Sequence, residues 1–185
     1  MVLPEHILWD IENKAEENKW PIIGSIKSDI LKHAIWEFRP MRVLEVGTLV
    51  GYSAILMSEI IPQGGKIVSI EIDPKIAEIA RKNFARAEVS DRIELIVGDA
   101  LQVIPSLPGP FHMVFLDAAK EQYLQYLKLA EPKMAPRAIV VADNVKIFAK
   151  QMKDYLEYVR KSGLYVSQKA DFGFDAVEVS VRKET

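Results

Sequence analysis

The sequence predicts an α/β fold, a doubly wound and mostly parallel seven-stranded sheet with helices at its N-terminal end and an antiparallel hairpin at its C-terminal end. Three observations predict it. From Met41 onward, short continuous apolar runs alternate with amphipathic segments, the pattern of strands buried on both faces and joined by crossover helices. Five of these runs end in an acidic or small polar residue. The last two strands are separated only by 169–175, which contains Gly173. That link is too short for a crossover helix and suits a hairpin.

Each element follows from local pattern. Ile7, Leu8 and Ile11 form a short apolar stripe among Glu and Lys, so the chain begins with a helix, which Pro21 and Gly24 break. A second helix is expected from Ser28, with Ile30, Leu31, Ala34, Ile35 and Phe38 on one face, stopping at Pro40. The first strand, 43–46, ends at Gly47, and a helix over 52–61 leads to the turn Pro62-Gln63-Gly64-Gly65. The second strand, 66–71, ends at Glu71. Asp73 then caps a helix whose first residue, Pro74, has no N–H to leave unpaired. The third strand, 93–97, ends at Gly98-Asp99. The fourth, 111–116, ends at Asp117, and the fifth, 138–142, at Asp143-Asn144. A helix over about 146–161 and strands at 164–167 and 176–181 complete the pattern. No linker or repeat divides the chain. It reads as one domain over 1–185: a helical segment 1–40, a half bearing the polar strand ends over 41–145, and a helix plus hairpin over 146–185.

Composition narrows the function. The 185 residues, 49% hydrophobic and 27% charged, suit one soluble domain with one core. With 24 basic and 26 acidic residues the net charge is -2. No global field recruits nucleic acid or an anionic membrane, and Lys150, Lys153, Arg160 and Lys161 read as a solvated helical face. The absence of cysteine excludes thiol nucleophiles, disulfides and thiolate metal sites, and suits a cytoplasmic location. The first ten residues lack a signal-peptide pattern. No apolar run approaches the roughly 20 residues of a membrane span. No nucleic-acid or membrane partner is therefore expected. The N-terminal helix, with Trp9 and Ile11, could cover the site or a partner subunit in a homodimer.

In open α/β sheets ligands bind beyond the carboxyl ends of the strands, where the polar strand ends gather. Glu71 lies about 24 residues after Gly47, the spacing at which a carboxylate accepts both hydroxyls of an adenosine ribose. The loop from Glu45 to Ser53 selects among adenosine cofactors. A dinucleotide site needs G-x-G-x-x-G, whereas Leu49 stands two residues after Gly47 and the next glycine is Gly51. Bulky side chains occupy the diphosphate approach, which favours S-adenosylmethionine. Gly47 gives backbone access, while Glu45 and Ser53 are placed for its amino-acid end. Asp117, Asp143 and Asn144 offer two carboxylates and an amide at adjacent strand ends. Such a set suits a hard cation such as Mg²⁺, or Mn²⁺ or Ca²⁺. Lys120, three residues beyond Asp117, is a candidate general base. His6, His33 and His112 share no ligand spacing, and no serine sits in a G-x-S-x-G elbow.

These segments, Leu44 to Thr48 with Gly51-Tyr52-Ser53, then Ile70 to Pro74, Val97-Gly98-Asp99-Ala100, Phe115 to Lys120 and Ala142 to Val145, resemble the cation-dependent O-methyltransferases. That group includes the catechol and caffeoyl-coenzyme A O-methyltransferases. The resemblance runs from about Trp20 to Val145, and the L-D-x-x-K and A-D-N-V segments are its most specific parts. It implies a Rossmann-like class I methyltransferase fold. It also implies a divalent cation on Asp117, Asp143 and Asn144 that binds both oxygens of a catechol-like aromatic substrate, with Lys120 as the base. Glu71 corresponds to the ribose ligand, and Glu45, Gly47 and Ser53 to the methionine end. Gly98, Asp99 and Ala100 lie by the adenine, and Asp117 borders the cofactor as well as the metal. Ala119 stands where catechol O-methyltransferases carry a tryptophan wall, and Asp171 is the nearest acid to their hairpin glutamate. The competing expectations are a nicotinamide oxidoreductase, opposed by Leu49, and a cofactor-binding module that is catalytically silent or methylates another acceptor.

Overall fold

The computed structural model describes residues 4–184. Two helices, α1 (Pro4–Asn18) and α2 (Gly24–Phe38), precede the alternating part. That part comprises β1 (Arg42–Val46), α3 (Tyr52–Ile60), β2 (Lys66–Glu71), α4 (Pro74–Arg86), β3 (Ile93–Val97), α5 (Ala100–Val103), β4 (Phe111–Leu116), α6 (Tyr123–Ala130) and β5 (Met134–Ala142). Then come α7 (Lys153–Lys161), β6 (Tyr165–Asp171) and β7 (Ala176–Arg182). The seven strands form one sheet in the order β3-β2-β1-β4-β5-β7-β6. β1 to β5 pair in parallel, while β7 runs antiparallel to both β5 and β6. Strand order reverses between β1 and β4, and the crevice beyond their carboxyl ends is where this topology places a ligand.

The period-2 alternation of a strand sends its apolar residues to both faces. Leu44, Val46, Val114, Leu116 and Val140 face Tyr123, Leu127 and Tyr155 of α6 and α7. Val43, Ile67, Met113, Phe115 and Ile139 face Ile11, Leu31, Ile35 and Ile55 of α1 to α3. Each such fully buried side chain contributes about 1.5–3 kcal/mol, so the central strands are the most firmly held part of the chain. Asp73 caps α4 as expected, accepting from Lys75 N at 2.7 Å and Ile76 N at 3.2 Å. α1 is tied on by Asp10 to Arg86 at 2.7 Å and by Tyr52 to Glu12. It buries Ile11 and leaves Trp9 exposed.

Several boundaries differ from the sequence reading. α2 begins at Gly24, not Ser28, and its buried face includes Lys27 and Ser28 as well as Leu31, Ala34 and Ile35. Gly24 itself adopts φ +71°, a conformation glycine takes freely, so it ends the preceding loop and starts the helix. The expected helix over 146–161 is helical only from Lys153; the segment before it forms successive turns. Asn144 at φ +64° redirects the chain there, and Asp175 Oδ1 accepts from Ile147 N at 3.3 Å. β5 starts at Met134, opposite Phe111 and ahead of a register irregularity against β4, and β6 extends to Asp171. Among the described residues no helix is long and apolar enough to cross a membrane.

Candidate active site

A cavity of about 620 Å³ opens at the carboxyl ends of β1, β2, β3, β4 and β5. The loop after β1 forms its floor. Gly47 has φ +95°, and a Cβ there would lie 2.6 Å from the backbone oxygen of Asp117. Only glycine lets the turn pass that closely over the end of β4. Gly51 at φ +90° meets the Phe84 ring in the same way. Leu49 is left-handed at φ +49°, a strained conformation for a side chain of its size. It is held there by its N–H, which donates to Glu71 Oε2 at 2.9 Å. Glu71 Oε1 accepts from Asp73 N at 3.0 Å. The carboxylate is thereby fixed at the cavity wall, with lone pairs left over for ligand hydroxyls.

Nine of the residues singled out in the sequence line this cavity: Gly47, Ser53, Glu71, Gly98, Asp99, Ala100, Asp117, Lys120 and Asn144. Asp99 caps the short helix α5 through Leu101 N at 2.9 Å. Glu45 and Asp143 lie behind the wall. Glu45 is fully buried and accepts hydrogen bonds from the hydroxyls of Thr48, Ser53 and Ser69. Burial pushes its carboxyl above the usual range, and those three donors oppose the rise. In the structure Glu45 holds the glycine loop in place, while Ser53, which donates to it, reaches the cavity.

The carboxylates at the ends of β4 and β5 belong to one charged cluster. Lys120 Nζ donates to Asp117 Oδ1 at 2.7 Å and to the Tyr123 hydroxyl at 2.9 Å, and that hydroxyl donates to the Asp143 backbone oxygen at 3.2 Å. Behind Asp143 stands Lys27, whose Nζ donates to both Asp143 oxygens at 2.7 and 2.8 Å and to Asp175 Oδ2 at 2.8 Å. Asp175 Oδ2 also accepts from Asn144 Nδ2 at 2.8 Å. Burial raises the Asp117 carboxyl to about 7; Lys120 pulls it down and the Asp143 charge pushes it further up. Asp143 is raised by burial against the pull of Lys27. The Lys27 ammonium, which burial alone would weaken, is held above its ordinary value by Asp143 and Asp175. Three carboxylates, Asp117, Asp143 and Asp175, thus face two ammonium groups, Lys27 and Lys120.

This donor set fits a hard divalent cation. Among the described residues no three His, Cys, Asp or Glu side chains cluster for a metal, so a site here must use the Asn144 amide oxygen beside Asp117 and Asp143, with ligand oxygens completing the shell. Asp143 Oδ2 keeps a lone pair beyond its bond to Lys27, while Oδ1 accepts from both Lys27 Nζ and Asn144 N. Lys27, Asp175 and Tyr123 carried no local signal in the sequence. A polar side chain on the core face of α2 was the one hint, and it shows only once the helix is known to begin at Gly24. The mouth of the cavity is apolar, with Ile72 and Ile147 exposed and Phe148 beside Lys120, whose Nζ lies 6.0 Å from the ring centre.

A model of an O-methyltransferase family matches residues 9–168. A catechol O-methyltransferase B of Danio rerio is 33% identical over 172 residues, covering 89% of this chain and 64% of that protein. A catechol O-methyltransferase of Mycobacterium tuberculosis is 46% identical over 105 residues, covering 56% of this chain and 48% of that protein. The chain thus spans less than two thirds of the length of these curated relatives. Among solved structures, the O-methyltransferase TomG of Streptomyces achromogenes, in complex with SAM, superposes with a TM-score of 0.83 at 26% identity over 96% of this chain and 90% of that one. A caffeoyl-CoA O-methyltransferase-like protein of Staphylococcus aureus reaches 0.87 at 24% identity over 95% and 91%, a likeness of fold. The doubly wound seven-stranded sheet with its antiparallel terminal hairpin is the class I methyltransferase fold, and the chain belongs to the O-methyltransferase family.

Proposed function

We propose that the protein is an S-adenosylmethionine-dependent, divalent-metal-dependent O-methyltransferase acting on a catechol-like dihydroxy aromatic small molecule. The observation that carries this reading is the meeting, in one cavity, of Glu71 and the Gly47 loop with Asp117, Asn144 and Lys120. The first pair suits an adenosine cofactor with no diphosphate, and the second group suits an oxygen-bound cation and a proton acceptor.

When bound, the cofactor supplies an electrophilic sulfonium methyl and the cation lowers the cost of a phenolate. Glu71 would hold the ribose hydroxyls, Ser53 and the Gly47 loop the amino-acid end, and Gly98 to Ala100 the adenine edge. Asp117, Asp143 and Asn144 would hold Mg²⁺, Mn²⁺ or Ca²⁺. Lys120 Nζ, fixed by Asp117 and Tyr123, would take the proton from the attacking hydroxyl as the neutral amine, after giving its own extra proton to solvent. Ile147 and Phe148, which line the cavity, would flank a planar apolar ring and exclude water from it. The cavity would act mainly by bringing the acceptor hydroxyl and the cofactor together in one orientation.

The test is release of S-adenosylhomocysteine from S-adenosylmethionine with a panel of catechols and monophenols, in Mg²⁺ or in EDTA. Turnover that requires both the metal and adjacent hydroxyls is expected. Full turnover in EDTA, or equal rates on monophenols, refutes the corresponding half of the reading.

A further inference from the structure

Lys27 is 6% exposed and Asp175 1%. They come from α2 and from the residue just before β7, 116 residues before and 32 after the Asp143 strand end they flank. Burying such a pair is costly, and an ion pair of this kind is weak evidence for stability in itself. Its contacts are specific, however. Lys27 Nζ reaches both oxygens of Asp143, which fixes the rotation of that carboxylate about its own axis. Asp175 can only accept, so the Asn144 amide must turn its Nδ2 towards Asp175, and its Oδ1 points away from that bond. The Asn144 backbone is left-handed at φ +64°, and its N–H donates to Asp143 Oδ1 at 2.7 Å. Every one of these bonds orients a donor of the candidate metal set, and none of them reaches the adenosine end of the cavity.

We propose that Lys27 and Asp175 form a clamp, two positioning residues that set the Asp143 carboxylate and the Asn144 amide oxygen in the orientation a divalent cation requires. The inference rests on the metal reading given under Proposed function. Groups that orient metal ligands typically alter metal affinity by about 10- to 100-fold when changed. The opposite role is chemically coherent too. Lys27 could occupy Asp143 as a built-in cation and oppose metal binding, in which case weakening the clamp would tighten it.

The variant that separates these is Asp175→Asn, which keeps the side-chain shape and removes one charge from the cluster. Mn²⁺ is titrated into the protein with saturating S-adenosylhomocysteine and followed by electron paramagnetic resonance. Affinity for S-adenosylhomocysteine is measured separately by calorimetry. The expected result is Mn²⁺ binding weakened about 10- to 100-fold with S-adenosylhomocysteine affinity unchanged. In turnover, the Mg²⁺ requirement should rise by a similar factor, with kcat recovering at saturating metal. Unchanged or tighter Mn²⁺ binding overturns the clamp. So does parallel loss of S-adenosylhomocysteine affinity, which would mark a merely structural pair. A wild-type protein that binds no Mn²⁺ overturns the metal reading itself, a result distinct from a failure confined to the variant. Lys27→Arg, which keeps the cation, should retain Mn²⁺ binding better than Lys27→Met; equal losses would overturn the role of the Lys27 charge.

Discussion

The sharpest local prediction concerns Gly47→Ala. At φ +95° an alanine meets a backbone conformation that costs about 1–2 kcal/mol. Its Cβ would also sit 2.6 Å from the Asp117 backbone oxygen and 2.9 Å from its carbonyl carbon. Those are backbone atoms at the end of a buried strand and cannot swing aside as a side chain would. Overpacking of that kind adds about 1–3 kcal/mol, so the total is about 2–5 kcal/mol. For a chain of this size each kcal/mol lowers Tm by about 2–4 °C, giving a fall of about 4–20 °C. Gly163→Ala is the control: φ is +80°, yet nothing lies within 4 Å of its Cβ, so only the conformational cost of about 1–2 kcal/mol remains. Thermal unfolding by circular dichroism compares the two, and calorimetry with S-adenosylhomocysteine reads the loop. Gly47→Ala should unfold earlier than Gly163→Ala and bind S-adenosylhomocysteine more weakly. Equal Tm shifts would show that the close approach of the loop to β4 contributes nothing.

Two further predictions concern charge. Lys120→Met removes the proposed proton acceptor and should lower kcat by about 10²–10⁴-fold with S-adenosylhomocysteine affinity retained; a kcat within a few-fold of wild type would remove Lys120 from the mechanism. Glu45→Gln tests the buried carboxyl behind the loop. Burial raises its folded-state pKa above the unfolded value, so its favourable contribution is full below the unfolded pKa and lost as pH rises through the folded one. The Tm advantage of Glu45→Gln over wild type should therefore widen as pH rises from acid to neutral. A gap that narrows over that range would mean the three hydroxyl donors outweigh burial.

The strands and their polar ends were readable because both signals are local. Short runs dominated by apolar residues mark Val43, Ile67 or Val114, and Asp117 or Asp143 directly follows its run. The same holds for Asp73 beside Pro74. Lys27 was not readable. In a helix that also carries Asp29, Lys32 and His33, a lysine looks solvated, and only the docking of α2 against β5 and β7 turns it inward. The turns before α7 were missed for the same reason, since the Asp175 carboxylate that accepts from Ile147 comes 28 residues later. Glu45 shows the complementary limit. Its place near the end of a strand suggested a ligand contact, but the hydroxyls of Thr48, Ser53 and Ser69 surround it, and which way an acid at a strand end faces is not a property of spacing.

The pairing of Lys27 with Asp143 and Asp175 also fixes when the site can come into being. The lysine is separated from its partners by 116 and 148 residues. At ribosomal rates of about 5–20 residues per second, it waits roughly 7–30 s for the second of them. Until Asp143 is made, α2 carries a charge that it cannot bury without a partner, and until Asp175 follows only half of its pairing is available, so α2 should remain undocked on the nascent chain while β1 to β4 can already pair. The part of the cavity at the ends of β4 and β5 then closes as one of the last events of folding, and a chain arrested before Asp143 should have a loose α2 open to proteases.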